Sequence, residues 1–127
     1  MGGLIETLAA GDHHDRRLLN ARTGATVASH VAVAFDSASR RRGLLDRTTF
    51  EPGDGMVIAP CEGIHTWFMR FPIDVAFVTR DGVVLSVRHA LRPWRLAMSL
   101  RAFAVVELPP GQLQRADIRP GDTLSAA

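Results

Sequence analysis

Asp81-Gly82 stands between two apolar runs, Asp74–Thr79 and Val83–Val87. An Asp-Gly pair in that setting reads as a tight hairpin turn, because glycine takes the positive φ such turns demand. In the first run Val75 and Phe77 point one way and Ala76 and Val78 the other. Both faces are therefore apolar, and the strand belongs in the interior of a sheet. Seven prolines and eleven glycines break the rest of the chain into short pieces. That punctuation favours short strands over a helix bundle.

Other elements follow from the same reasoning. Leu18–Ala21 and Thr26–Ala28 flank a turn at Arg22–Ala25. His30–Phe35 alternates, with Val31, Val33 and Phe35 on one face. Asp36 or Ser37 can cap a helix running to about Leu45. Its Arg40-Arg41-Arg42 turn by about 100° each, so at least one must face the protein or its edge. Gly55–Pro60 and Ala102–Leu108 read as strands, Gln112–Asp117 as a short helix, and Thr123-Leu124 as a last strand. Arg119-Pro120-Gly121-Asp122 has the order a type II turn prefers. Residues 1–16 read as a flexible N-terminal tail, in which Leu4, Ile5 and Leu8 could make one amphipathic turn. Residues 17–127 read as a single mainly β domain, a compact sandwich- or barrel-like antiparallel sheet with one or two short helices.

Composition narrows the function classes. The 127 residues carry a formal net charge of +2. The pI is high because all fifteen permanently cationic side chains are Arg, with no Lys, and there is no Tyr, so little titrates above neutral pH. A charge that small is weak support for a nucleic-acid partner. The lone cysteine excludes an internal disulfide, and a thiolate zinc site within one chain. Met1–Glu6 offers no positive n-region and no long apolar core. No run reaches the roughly 18 apolar residues of a membrane span. A cytoplasmic location without a membrane span is the expectation.

Reactive side chains crowd the stretch from Cys61 to Asp74. Cys61 and His65 could act as nucleophile and base. In an extended chain, however, they stand roughly 13 Å apart, and Pro60 and Gly63 oppose the helix that would bring them together. No HxH or HxxxH pair marks a metal site, and no metal or cofactor is expected. Asp74 begins an apolar strand, where a buried carboxylate needs partners. Arg70 and Arg47 are the natural ones, because an arginine fork binds a carboxylate bidentately. Those arginines with His65, Thr66 and Asp74 form the expected polar site, with Cys61 and Glu107 as possible additions. Its expected occupant is a small anionic molecule or a protein partner. The alternatives are a small hydrolase or transferase using Cys61 or His65, and an Arg-rich nucleic-acid binder using Arg40, Arg41 and Arg42.

The same stretch, with flanking pieces, resembles the family called domain of unknown function 192. Arg42-Gly43-Leu44 with Arg47 resembles its R-G-L…R signature, and Gly55-Met56 its G-M step. Cys61, Ile64-His65-Thr66, Met69-Arg70, Pro72-Ile73-Asp74 and Phe77 resemble its central motif. Asp81-Gly82, Glu107-Leu108, Gly111 and Gly121-Asp122 extend the likeness over residues 17–126. The chain departs from common forms of the family at Arg70-Phe71 and at Leu45-Asp46. The resemblance implies a compact, sandwich-like, mainly β domain and no particular activity.

Overall fold

The computed structural model describes residues 3–10, 16–44 and 49–127. In chain order the elements are α1 (Leu4–Ala9), β1 (Leu18–Asn20), β2 (Thr26–Ala28), β3 (His30–Ala34), α2 (Ser37–Arg42), β4 (Asp54–Ile58), β5 (Gly63–His65), β6 (Ile73–Val78), β7 (Val84–Leu91), β8 (Leu96–Met98), β9 (Ala104–Leu108), α3 (Gln112–Arg115) and β10 (Leu124–Ala126). A five-stranded sheet, β3-β4-β9-β6-β7, forms the centre. A three-stranded sheet, β10-β1-β2, and a two-stranded ribbon, β5-β8, complete it. The domain is mainly β, and among the described residues no sheet closes into a barrel. The pairings are antiparallel except β3 with β4. A parallel pair needs a crossover, and α2 lies within it.

The apolar two-sidedness of β6 organises the packing. On one face of the central sheet Ala76, Val78, Val106 and Leu108 pack with Leu18, Val27 and Leu124 from the three-stranded sheet. Leu4 and Leu8 of α1 and Leu113 of α3 join the same core. On the other face Val75, Phe77, Met56, Ile58 and Val105 pack with Ala97 of β8, Leu44 and Met69. All six β6 residues are buried, as a strand between two cores requires.

The hairpin turn is where the Asp-Gly pair puts it. Gly82 has φ of 97°, and a Cβ there would run into the carbonyl oxygen of Leu124. Glycine is thus needed twice, for its backbone angle and for the close approach of β10. Asp36 caps α2 as expected, its carboxylate accepting the Ser39 N–H at 2.8 Å. Gly121 takes the positive φ that its turn predicts.

Two expectations need correction. Residues 4–9, placed in a flexible tail, form a helix with Leu4, Ile5 and Leu8 buried. The amphipathic stripe is short, but it docks beside the β6–β7 turn, where the Ile5 N–H donates to the Arg80 carbonyl. Packing on the core supplies what a six-residue helix lacks by itself. With α1 counted, the described residues hold three short helices, not one or two. His13 and His14 lie outside the described residues.

Candidate functional site

The expected ion-pair network around Asp74 does not form among the described residues. Asp74 is fully buried. One carboxylate oxygen accepts the Ala90 N–H at 2.8 Å and the other accepts the Leu113 N–H at 3.0 Å. Ala90 sits at φ of 47°, near the end of β7. Leu113 lies in the first turn of α3, where an amide has no partner within the helix. The carboxylate therefore binds an irregular strand end to a helix start, and backbone amides stand where arginines were expected. Arg70 is exposed, and Arg47 lies outside the described residues.

Thr66 is also fully buried. Its hydroxyl donates to the Arg92 carbonyl at 2.6 Å and accepts the Arg95 N–H at 2.9 Å. Its backbone exchanges further bonds with Arg95 and Trp94. Both the donor and an acceptor site of the hydroxyl are thus occupied in holding the 92–95 segment against the end of β5. Thr66 and Asp74 serve as internal fastenings, and neither side chain is brought to a surface with Arg70.

A cleft of about 650 Å³ opens between α2 and the β5 ribbon. Arg40, Arg41 and Arg42 line it from the helix; Cys61 and His65 line it from the other wall. Glu107 reaches it from the middle of the central sheet. Of the expected site residues, the structure brings Cys61, His65 and Glu107 together here. Basic residues in the last turn of α2 suit the negative end of a helix. Arg40 is fixed, its guanidinium donating to the Pro60 carbonyl at 3.1 Å. The Arg41 Nε–H donates to the Ser37 carbonyl at 3.4 Å, and the side chain stays exposed.

Glu107 is the unusual member. It is 4% exposed, opposite Met56 on β4 and Val75 on β6. Among the described residues its carboxyl has no hydrogen bond or ion pair. Burial pushes its pKa up from 4.5 to about 7, because a charged carboxylate is poorly solvated among apolar neighbours. Cys61 is half-buried, and burial raises its thiol above the ordinary value. Its sulfur donates to the Gly63 carbonyl at 3.0 Å, not to His65. The His65 ring is exposed and stacks on Trp67, with centroids 4.8 Å apart. Nucleophilic cysteines need the opposite environment, one that favours thiolate. No three His, Cys, Asp or Glu side chains converge as metal ligands among the described residues.

The cleft joins segments far apart in sequence, so spacing alone could not assemble it. Two signals pointed towards it: the three arginines, one of which had to face inward, and Glu107 within an apolar run.

The DUF192 family profile, described as "Uncharacterized ACR", matches residues 19–126. A solved structure from Sinorhizobium meliloti, proposed to be a transcription regulator, is similar with a TM-score of 0.74 and 25% identity. The match covers 92% of this chain and 98% of that one. A protein of unknown function from Novosphingobium aromaticivorans also has a TM-score of 0.74, at 22% identity over 87% of this chain and 82% of its own. No curated protein matches.

Proposed function

This chain belongs to the DUF192 family, which brings a fold and no activity, and on the geometry of the cleft we propose that it is a binding domain for a small anionic molecule. One observation carries the reading. Three consecutive arginines line a cleft of about 650 Å³ into which a buried carboxyl, without a partner among the described residues, also projects. That volume lies in the range of small-molecule sites. A guanidinium offers paired donors to a carboxylate or phosphate. Glu107 adds a second requirement, because in its neutral form it donates a hydrogen bond and in its charged form it accepts one. The favoured ligand is anionic at the arginine end and carries a hydrogen-bonding group that reaches Glu107. His65 stands at the rim. Thr66 and Asp74, part of the expected site, have a supporting role in this reading, and Arg70, exposed and outside the cleft lining, has none.

The hydrolase or transferase alternative is less well supported. Burial raises the Cys61 thiol, and its sulfur is directed at a carbonyl. Alkylation of native Cys61 at neutral pH should run well below the rate of the unfolded chain; an equal or faster rate would restore that alternative. The nucleic-acid reading rests on arginines that line a cleft next to a buried carboxyl, a poor match for a phosphate backbone.

A thermal-shift screen of phosphate, sulfate and small carboxylates tests the proposal. A ligand at 100 times its dissociation constant should stabilise the fold by about 2.7 kcal/mol. Arg41→Ala should weaken that response while leaving the unliganded melting temperature nearly unchanged. If no anion shifts the wild type, or Arg41→Ala responds equally, the proposal fails.

A further inference from the structure

The large exposed apolar side chains of the described residues all fall in two short segments. They are Trp67, Phe68, Trp94, Leu96, Met98 and Leu100, each between 47% and 78% exposed. Scattered single hydrophobics need no explanation, but a contiguous patch does. The ribbon makes this one contiguous. His65 pairs with Leu96 and Gly63 with Met98, so those side chains share one face while Ala97 turns to the core. Gly63 leaves room for Met98, whose Cγ would lie 3.0 Å from a Cβ there. Trp67 extends the row by stacking on His65.

Phe68 and Trp94 meet with ring centroids 4.7 Å apart. Both have positive φ, 66° and 65°, a backbone region that bulky residues rarely adopt. The Trp94 N–H is held by the Thr66 carbonyl. The rings are thus kept in water by an ordered, strained backbone, a pattern that points to function.

The charge around the patch has one dominant sign. Segments 61–71 and 91–102 contain Arg70, Arg92, Arg95 and Arg101, all exposed, against Glu62 alone. We propose that this face docks onto an anionic phospholipid surface, with Phe68, Trp94 and Leu100 entering the interface and the arginines meeting lipid phosphates. Phe68 and Leu100 lie in turns and Trp94 in a bend, positions suited to entering a plane. Tryptophan at the headgroup level, aliphatic and aromatic tips below it and arginines around them are what an interfacial anchor requires. A second copy fits less well, since a twofold contact would oppose the same arginines across the interface. This surface borders the cleft at His65, but the proposal does not depend on the ligand reading of the cleft.

The test uses the full chain and vesicles of phosphatidylcholine with or without phosphatidylserine. Both tryptophans of the chain lie in the patch, so their emission reports directly. Co-sedimentation with the anionic vesicles, a blue shift and quenching by brominated lipid are expected, all weakened by added salt. The double variant Phe68→Asn with Leu100→Asn keeps both probes, and asparagine tolerates the backbone at position 68. It should bind at least tenfold more weakly with unchanged circular dichroism. Arg70→Gln with Arg95→Gln, which alters no apolar side chain, should lose the preference for phosphatidylserine. Absence of partitioning onto anionic vesicles overturns the proposal, as does equal binding by the folded Asn variant. A blue shift that follows protein concentration without vesicles assigns the face to a second copy and overturns it too.

Discussion

Asp74 and Glu107 are buried carboxyl residues on neighbouring strands, and they face opposite ways. Asp74 is registered with Leu108, and Glu107 with Val75. Asp74 therefore points into the layer containing α3, while Glu107 points towards the cleft. Asp74 receives two backbone N–H bonds; Glu107 receives none among the described residues. Two acidic residues interrupting apolar strands look alike in sequence. What distinguishes them is the supply of donors, which only the third dimension sets. A carboxylate with donors fastens parts together, whereas one without them costs stability and is available to a ligand.

The largest effect should come from removing the fastening. Asp74→Ala leaves the buried Leu113 amide without an acceptor, at about 1–3 kcal/mol, and the partly buried Ala90 amide at less. A loss of roughly 2–3 kcal/mol is expected as a lowered urea midpoint with unchanged slope. Asp74→Asn retains one acceptor oxygen and should lose less. If Asp74→Ala costs under about 1 kcal/mol, the two amides have other partners and the contrast collapses.

Glu107 should give the reverse behaviour. Its folded pKa of about 7 exceeds the ordinary 4.5, so between those values the folded state binds more protons than the unfolded state. Stability must then fall as pH rises through this window. The penalty is absent below about 4.5, complete above about 7, and roughly 3 kcal/mol in size. Other groups titrate in the same range, so the measurement is the difference between wild type and Glu107→Gln. Relative to wild type, Glu107→Gln should gain stability from pH 5 to pH 8. A difference that does not change with pH would show that Glu107 is solvated or paired. A ligand that donates to the charged carboxylate should flatten the same difference, which links this measurement to the cleft.

The hairpin and its two-sided strand were legible because local chemistry decides them: Asp81-Gly82 fixes the turn and alternating apolar residues fix the faces. The Asp36 cap was legible for the same reason. Helix α1 was not, because its stripe is one turn long and forms only against the core. The site was half legible. Burial of Asp74 followed from its place before an apolar strand, but its partners are backbone amides 16 and 39 residues away, and a backbone N–H leaves no mark in composition. Arginine was the natural guess because only side chains can be read from a sequence. Glu107 could be suspected; its isolation could not, since that depends on which residues fail to arrive.

Asp122 supplies the intermediate case and the smallest effect. It is buried near the protein's edge, where Arg22 Nε–H donates to one carboxylate oxygen at 2.8 Å. The other oxygen accepts the Arg119 N–H at 2.9 Å and the Asn20 amide at 3.3 Å. The Arg22 hydrogen bond, first among these, holds the pKa down at about 2. A depressed folded pKa contributes stability above the ordinary 3.8, and that contribution is lost as pH falls through 2. Arg22→Ala should therefore lower the melting temperature slightly at neutral pH, with the deficit vanishing in acid. The Arg22 side chain is partly exposed, so water screens the pair and added salt should shrink the deficit further. Replacing Asn20 with Ala tests whether the neutral donor matters as much as the charged one. Asn20 also donates to the Ala116 carbonyl at 3.2 Å and accepts the Arg22 N–H at 3.1 Å, so only the part of its cost that disappears in an Asp122→Ala background belongs to Asp122. If that part exceeds the cost of Arg22→Ala, donor supply outweighs charge here as it does at Asp74.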